Sequence, residues 1–168
     1  MMTEHEVSRC GYIAIVGRPN VGKSTLLNHL LEQKISITSR KPQTTRHRIT
    51  GIKTAGDTQF VYVDTPGLHK NQKKALNRAM NATVTEVLKD VDVVLFMVER
   101  LVFNEEAEMV LQALEQIKVP VLLLINKCDQ IENRQRLLPH IQQLAARRQF
   151  AEVIPLAVLT GHNMDTVE

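Results

Sequence analysis

Hydrophobic positions recur along the chain with two different periods, which predict strands and helices in alternation. Nearly continuous apolar runs predict four buried strands, at 12–16, 91–98, 119–125 and 153–156. Apolar side chains at helical spacing predict four helices, at 21–33, 75–89, 105–117 and 133–148. The fourth helix is expected to bury Leu137, Leu138, Ile141, Leu144 and Ala145. Asn104 is a favourable N-terminal cap for the third of these helices.

The order of these elements predicts an α/β fold. Two shorter runs, 49–54 and 59–63, flank Ala55-Gly56-Asp57 and predict an antiparallel hairpin. We therefore expect a six-stranded, mostly parallel sheet with one antiparallel hairpin strand and helices on both faces. Asn163 or Asp165 is a candidate cap for a further helix of only a few residues, so we expect the last helix to be truncated. Ligands of such folds bind beyond the carboxyl ends of the strands.

The composition fits a single soluble domain. The 168 residues carry a net charge of +3, and the only cysteines, Cys10 and Cys128, match neither a metal-binding spacing nor a disulfide framework. We expect a cytoplasmic protein, because no run resembles a secretory signal or is long enough to span a membrane. Basic residues gather at 40–48 and 70–74, in predicted loops. A solvated face is the usual meaning of such clusters, and contact with RNA or a membrane is the alternative.

The first predicted strand runs into a phosphate-binding pattern, G-x-x-x-x-G-K-S, at 17–24. Its glycines let backbone N–H groups surround phosphate oxygens, its lysine neutralises charge, and its serine hydroxyl holds Mg²⁺. The helix that follows directs its positive N-terminal end at the same anion. This setting favours a P-loop NTPase over an ordinary glycine-rich turn. The nucleotide-binding candidates are Gly17, Arg18, Pro19, Asn20, Val21, Gly22, Lys23, Ser24 and Thr25.

A second element follows the strand that ends at Val63. Asp64 can hold Mg²⁺ through water there, and Gly67 lets a backbone N–H approach a γ-phosphate. Read alone, D-T-P-G is only a turn. Its place at a strand end, after a phosphate loop, favours a metal and γ-phosphate element with the candidates Asp64, Thr65, Pro66, Gly67 and Leu68.

A third element, Asn126-Lys127-Cys128-Asp129, ends the strand at 119–125 and predicts selection of guanine. The Asp129 carboxylate can accept two hydrogen bonds from guanine N1–H and its 2-amino group, a pair that adenine lacks. Asn126 would brace the phosphate loop, and the stem of Lys127 would lie over the base plane. The alternative is a polar loop with a capping aspartate.

These motifs resemble those of the translation-factor-related GTPases, and within them the Era family. The resemblance covers almost the whole chain, with Gln43-Thr44-Thr45-Arg46 as its most specific stretch. It implies a GTPase domain over residues 1–168 that binds GTP or GDP together with Mg²⁺. It also implies that Thr45, with Thr44 as second choice, joins Ser24 and Asp64 around Mg²⁺ only when a γ-phosphate is present.

By the same resemblance, the catalytic candidates are Asn20, Lys23, Thr45 and Gly67. Ras-like enzymes have a water-orienting glutamine after this glycine, but this chain has Leu68. We therefore expect slow intrinsic hydrolysis, at or below about 10⁻³ per second. In potassium-stimulated relatives, the residue matching Asn20 helps to hold K⁺ near the phosphates, so K⁺ is a further expected cofactor. A plain turn residue is the alternative for Asn20.

The loop after the last strand departs from the Era pattern, because Ala157-Val158 stands where that family has Ser-Ala. The resemblance assigns the Val158 backbone N–H to the guanine carbonyl, a contact that the change preserves. The missing serine hydroxyl would have helped to orient Asp129. We expect nucleotide binding to be weaker by about 1–2 kcal/mol, the scale of one buried hydrogen bond.

The resemblance implies a switch that acts in 16S rRNA processing and assembly of the small (30S) ribosomal subunit. In the family, a C-terminal KH domain holds the RNA, and its G-x-x-G signature is absent from this sequence. We therefore expect no KH domain within residues 1–168. Separately, we expect this fragment to be a monomer, and the resemblance implies peripheral inner-membrane association only for the full-length protein. The alternatives are a nucleotide-bound scaffold with negligible turnover and a P-loop ATPase, which Asp129 disfavours.

Overall fold

A computed structural model of the chain describes residues 9–31, 48–65 and 85–168. Its strands are β1 (Arg9–Gly17), β2 (Arg48–Ala55), β3 (Thr58–Asp64), β4 (Val93–Glu99), β5 (Val121–Asn126) and β6 (Glu152–Pro155). They form one six-stranded sheet in the order β2-β3-β1-β4-β5-β6. Neighbouring strands are parallel except β2 and β3, which form an antiparallel pair. The predicted sheet is confirmed.

The register of the parallel strands brings their carboxyl ends to one edge of the sheet. Gly17 pairs with Met97, and Glu99 pairs with Asn126. On the other side of β5, Ile125 pairs with Pro155. The loops that follow these strands therefore leave the sheet side by side, at the edge where this class of fold binds its ligands.

The described helices are α1 (Lys23–Leu31), α2 (85–89), α3 (Glu105–Leu114) and α4 (Leu137–Ala145). Helix α1 begins later than predicted because Gly22 has φ 109°, which no helical residue adopts. Helix α3 begins as predicted, with the Oδ1 of Asn104 accepting the Ala107 N–H at 3.1 Å. The predicted helical residues 32–33 and 75–84 lie outside the described ranges.

Helix α4 differs most from the prediction. Its predicted first turn is a separate 3-10 turn, Arg134–Arg136, which Asn133 caps by accepting the Gln135 N–H. The prediction that Leu138 and Ala145 are buried is wrong, since Leu138 is 63% exposed and Ala145 is also exposed. At about 100° per residue, Ala145 lies about 100° and Leu138 about 120° around the helix axis from Leu144, which is buried against the sheet.

The core consists of two apolar clusters, one on each face of the sheet. Alternate strand residues such as Val94 and Phe96 pack with α3 and α4 on one face. Their neighbours Leu95 and Met97 pack with α1 on the other. This confirms the prediction of helices on both faces.

The predicted truncated last helix is a single 3-10 turn, Met164–Thr166. Asn163, one of the two candidate caps, stands before this turn with left-handed φ, caps no backbone N–H with its side chain and donates its Nδ2 to the carbonyl of Pro155 at 2.8 Å. Met164 is buried in the cluster that contains α1. In the described ranges, no helix has the length and apolar character needed to cross a bilayer.

Candidate functional site

The loop between β1 and α1 is packed tightly against its neighbours. A Cβ at Gly17 would lie 2.5 Å from the carbonyl oxygen of Met97 in β4. A Cβ at Gly22 would lie 2.3 Å from the Nδ2 of Asn126, at the end of β5. The two glycines of the phosphate-binding pattern are therefore needed for close approach to two neighbouring strands as well as for backbone conformation.

Lys23 folds back over this loop. Its Nζ donates to the carbonyl oxygens of Gly17 and Arg18, each at 2.8 Å. Burial, and then the positive charge of Arg18, lower the pKa of Lys23 below its usual value. In the part of the chain that the structure describes, no ion pair neutralises Lys23. The loop is therefore short of negative charge, which suits an anionic ligand.

Asn126 joins three segments through its buried side-chain amide. Its Nδ2 donates to the carbonyl of Val21 in the phosphate loop at 3.0 Å. Its Oδ1 accepts the backbone N–H of Val158, in the loop after β6, at 3.1 Å. The side chain is almost fully buried, with 3% of the residue exposed, so both bonds satisfy groups that water cannot reach. This geometry matches the bracing role predicted for Asn126.

Lys127 forms a second connection to the phosphate loop. Its backbone is left-handed, with φ 60°, and its Nζ donates to the carbonyl of Asn20 at 3.1 Å. The same ammonium pairs with the carboxylate of Glu99. The lysine stem therefore extends from the end of β5 toward the phosphate loop, and its predicted place over the base plane stays a prediction.

Asp129 lies on the 3-10 turn Cys128–Gln130, and its side chain is exposed. Cys128 fixes this turn to the neighbouring strands. Its backbone N–H donates to the carbonyl of Leu156 at 3.1 Å, and its Sγ–H donates to the carbonyl of Ile125 at 3.0 Å. Burial raises the pKa of the Cys128 thiol, which suits a structural residue. The exposed carboxylate thus stands on a fixed turn.

The loop after β6 is held together without the serine of the Era pattern. Ala157 and His162 exchange two backbone hydrogen bonds of 3.1 Å each, and the Thr160 hydroxyl donates to the Ala157 carbonyl. Ala157 is 1% exposed. By resemblance, the N–H of Val158 is assigned to the guanine carbonyl. In this structure it donates to the Oδ1 of Asn126, and its contact with guanine stays a prediction.

The second motif begins beside the phosphate loop. Asp64 ends β3, next to β1, and the Thr65 hydroxyl donates to the carbonyl of Ile15 at 3.2 Å. Ser24 is exposed in the first turn of α1, and Thr25 is half-buried there. Thr45, Pro66, Gly67 and Leu68 lie outside the described residues, as does the side chain of Asp64. Their predicted roles stay predictions.

Glu99 is a site residue that the sequence reasoning missed. It is 5% exposed at the end of β4 and pairs with both Arg18 and Lys127. Burial alone would raise the pKa of Glu99. The hydrogen bond from Lys127 and the charges of Arg18, Lys127 and Arg100 outweigh burial, so the net pKa lies below its usual value. The sequence signal was a carboxylate directly after a buried apolar strand, at the ligand-binding edge.

The Gly22 contact gives a test of the packing between the two loops. We expect Gly22→Ala to lower the free energy of unfolding by about 1–3 kcal/mol more than Gly56→Ala, because it adds a clash with Asn126 and its φ of 109° lies outside the left-handed region that residues with a side chain adopt. Gly56 also has positive φ, 60°, but nothing lies within 4 Å of a Cβ there. Urea unfolding of both variants measures the difference, and equal losses would contradict the close packing of Gly22 against Asn126.

Residues 12–127 match the family model described as 50S ribosome-binding GTPase. GTPase Era of Azotobacter vinelandii is 60% identical over 167 residues, which are 99% of this chain and 56% of that protein. GTPase Era of Marinobacter nauticus is 56% identical over 98% of this chain and 54% of that protein. The chain thus spans about half the length of the curated relatives it matches.

Solved structures agree with this relationship. Era in complex with MgGDPNP and nucleotides 1506-1542 of 16S ribosomal RNA matches with a TM-score of 0.73 and 37% identity, over 94% of this chain and 54% of that one. An Aquifex aeolicus Era variant bound to GDP.AlF4- matches over the same shares with a TM-score of 0.71. The predicted P-loop GTPase fold and the resemblance to Era are confirmed. The chain belongs to the family of 50S ribosome-binding GTPases.

Proposed function

We propose that this chain binds guanine nucleotide and hydrolyses GTP to GDP and phosphate as a molecular switch. The observation that carries the proposal is the Asn126 side chain, which ties the phosphate loop to the base-recognition loops. A phosphate subsite and a base subsite are thereby held at a fixed separation. Era relatives bound to MgGDPNP and to GDP.AlF4- support the same ligand here.

The phosphate groups bind the loop at 17–23 in this proposal. The Lys23 ammonium already has two of its donors on loop carbonyls, which leaves the third for a phosphate oxygen. An anion there offsets both the burial of Lys23 and the nearby charge of Arg18. The N-terminal end of α1 contributes further positive potential.

The base binds between the stem of Lys127 and the exposed carboxylate of Asp129. Two hydrogen bonds from guanine to Asp129 give the selectivity, because adenine leaves that carboxylate unmatched. The fixed turn below Asp129 limits the entropy that ordering the site would cost.

Mg²⁺ fits the oxygen donors at this edge of the sheet. Ser24 is exposed in the first turn of α1, and Asp64 ends the strand next to β1. Both supply the hard oxygen ligands that Mg²⁺ prefers, and we assign Thr45 as their partner in the GTP state. When bound, the ion neutralises charge on the β- and γ-phosphates.

We further propose that intrinsic hydrolysis is slow and that K⁺ stimulates it. Leu68 has no polar group with which to orient an attacking water. Asn20 is exposed in the phosphate loop with φ 62°, while its carbonyl is occupied by Lys127. Its side-chain amide is therefore available to a cation near the phosphates.

The curated relatives are about twice as long as this chain, so the cellular role is proposed for a full-length protein. We propose that the full-length protein acts in 16S rRNA processing and small-subunit assembly, through RNA contacts of a KH domain. An Era structure in complex with a 16S ribosomal RNA segment supports this role, although the family description names the 50S subunit. We propose a cytoplasmic location and, by the family resemblance, peripheral membrane association of the full-length protein.

The guanine assignment is tested by exchanging one atom of the base-binding carboxylate. We expect Asp129→Asn to shift preference from GDP toward XDP by at least about tenfold, because an amide N–H matches the 2-oxo group of xanthine. Competition against a fluorescent guanine nucleotide measures the shift. Asp165→Asn, an exposed carboxylate on the last 3-10 turn, is the matched control.

Two outcomes of that competition would contradict the assignment. One is an Asp129→Asn protein whose guanine selectivity is unchanged. The other is displacement from the wild-type chain by ATP as readily as by GTP, which would favour a P-loop ATPase.

The potassium proposal is tested with hydrolysis rates in matched KCl and NaCl buffers. We expect faster single-turnover GTP hydrolysis in KCl for the wild type and no such difference for Asn20→Gly. Glycine keeps the positive φ and the carbonyl that Lys127 uses, so only the side-chain amide is lost. Equal wild-type rates would refute K⁺ stimulation, and no turnover in either salt would favour a nucleotide-bound scaffold.

A further inference from the structure

Glu99 connects the phosphate loop and the base-recognition loop through two ion pairs. One carboxylate oxygen accepts from the Arg18 guanidinium, in the phosphate loop. The other oxygen accepts from the Lys127 ammonium, beside the base subsite. Each loop thus reaches the same buried carboxylate from a different side.

Several positive charges surround Glu99, and its carboxylate is needed to hold them close together. Arg18, Lys23 and Lys127 place three cations around the phosphate loop, and Arg100 adds a fourth at 3.8 Å from Glu99. Among the described residues, Glu99 is the only carboxylate paired with any of them. If the negative charge of Glu99 were removed, the positive charges of Arg18 and Lys127 would repel each other and the two side chains would separate.

The backbone around Glu99 is fixed by a strained turn. Arg100 has φ 49°, an uncommon conformation for a residue with a side chain. Its N–H donates to the carbonyl of Asn126 at 2.8 Å, and the Val102 N–H donates to the Glu99 carbonyl at 3.0 Å. The turn therefore holds Glu99 beside the start of the base-recognition loop, in register with Asn126.

We propose that Glu99 is a positioning residue for guanine nucleotide binding, which holds Lys127 beside the base while keeping the Arg18 guanidinium tied back at the phosphate loop. Glu99 itself touches no ligand in this account. It acts through Lys127, whose ammonium is shared between Glu99 and the Asn20 carbonyl. This inference rests on the proposed function.

The test is a double-mutant cycle on GDP affinity, with Glu99→Gln, Lys127→Ala and the double variant. Glu99→Gln keeps the shape of the side chain and removes its charge. We expect it to weaken GDP binding by about tenfold or more. Because Glu99 acts through Lys127, we expect Lys127→Ala to weaken binding much less in the Glu99→Gln background than in the wild type.

The matched control is Glu108→Gln, which removes a carboxylate from a different ion pair, between Glu108 of α3 and Arg147, just after α4. We expect Glu108→Gln to leave GDP affinity unchanged and to add independently to Lys127→Ala. The melting temperatures of all variants show how much each substitution destabilises the fold, independently of its effect on GDP affinity. Should Glu99→Gln fail to fold, Glu99→Asp takes its place, because it keeps the buried charge and shortens the reach to both cations.

The outcomes separate this inference from the proposed function. GDP affinity of the Glu99 variant within about twofold of the wild type, or strict additivity with Lys127→Ala, would overturn the positioning role while leaving guanine binding intact. A wild-type chain that does not bind GDP would overturn the proposed function, and the inference with it.

Discussion

The geometry of the site depends on one buried side-chain amide, that of Asn126. A buried amide must have both its donor and its acceptor satisfied, and here each partner belongs to a different loop. The rest of the site follows from this constraint. Gly22 must lack a side chain because Asn126 occupies the space, and the phosphate loop can move relative to β5 only by breaking a hydrogen bond out of reach of water.

Electrostatics adds a second level of organisation around that amide. The site concentrates cations, and the lowered pKa of Lys23 reflects both its burial and the charge of Arg18. Glu99 balances part of this charge on the side away from the phosphates, while the phosphate side stays uncompensated. A nucleotide supplies the missing negative charge, so binding and local charge balance favour each other.

The order of the elements could be read from the sequence because four of the strands are nearly continuous apolar runs, and each motif directly follows a predicted strand. Details that depend on distant contacts could not be read in this way. Leu138 and Leu144 have the same side chain, and only the rotation of α4 against the sheet decides which one is buried. Glu99 looked like an ordinary residue after a strand, since the cations that bind it come from positions 18 and 127. The Val158 N–H, likewise, finds its acceptor 32 residues away.

The most direct test of the central role of Asn126 is the hydrogen exchange of the Val158 amide in the nucleotide-free protein. The amide of Ala157 is the internal reference, because it bonds to the backbone of His162 and not to a side chain. We predict that Asn126→Ala lowers the protection of Val158 relative to Ala157 by about tenfold or more, as expected for loss of one buried hydrogen bond. The same ratio of Val158 to Ala157 protection in the wild type and in Asn126→Ala would contradict the account.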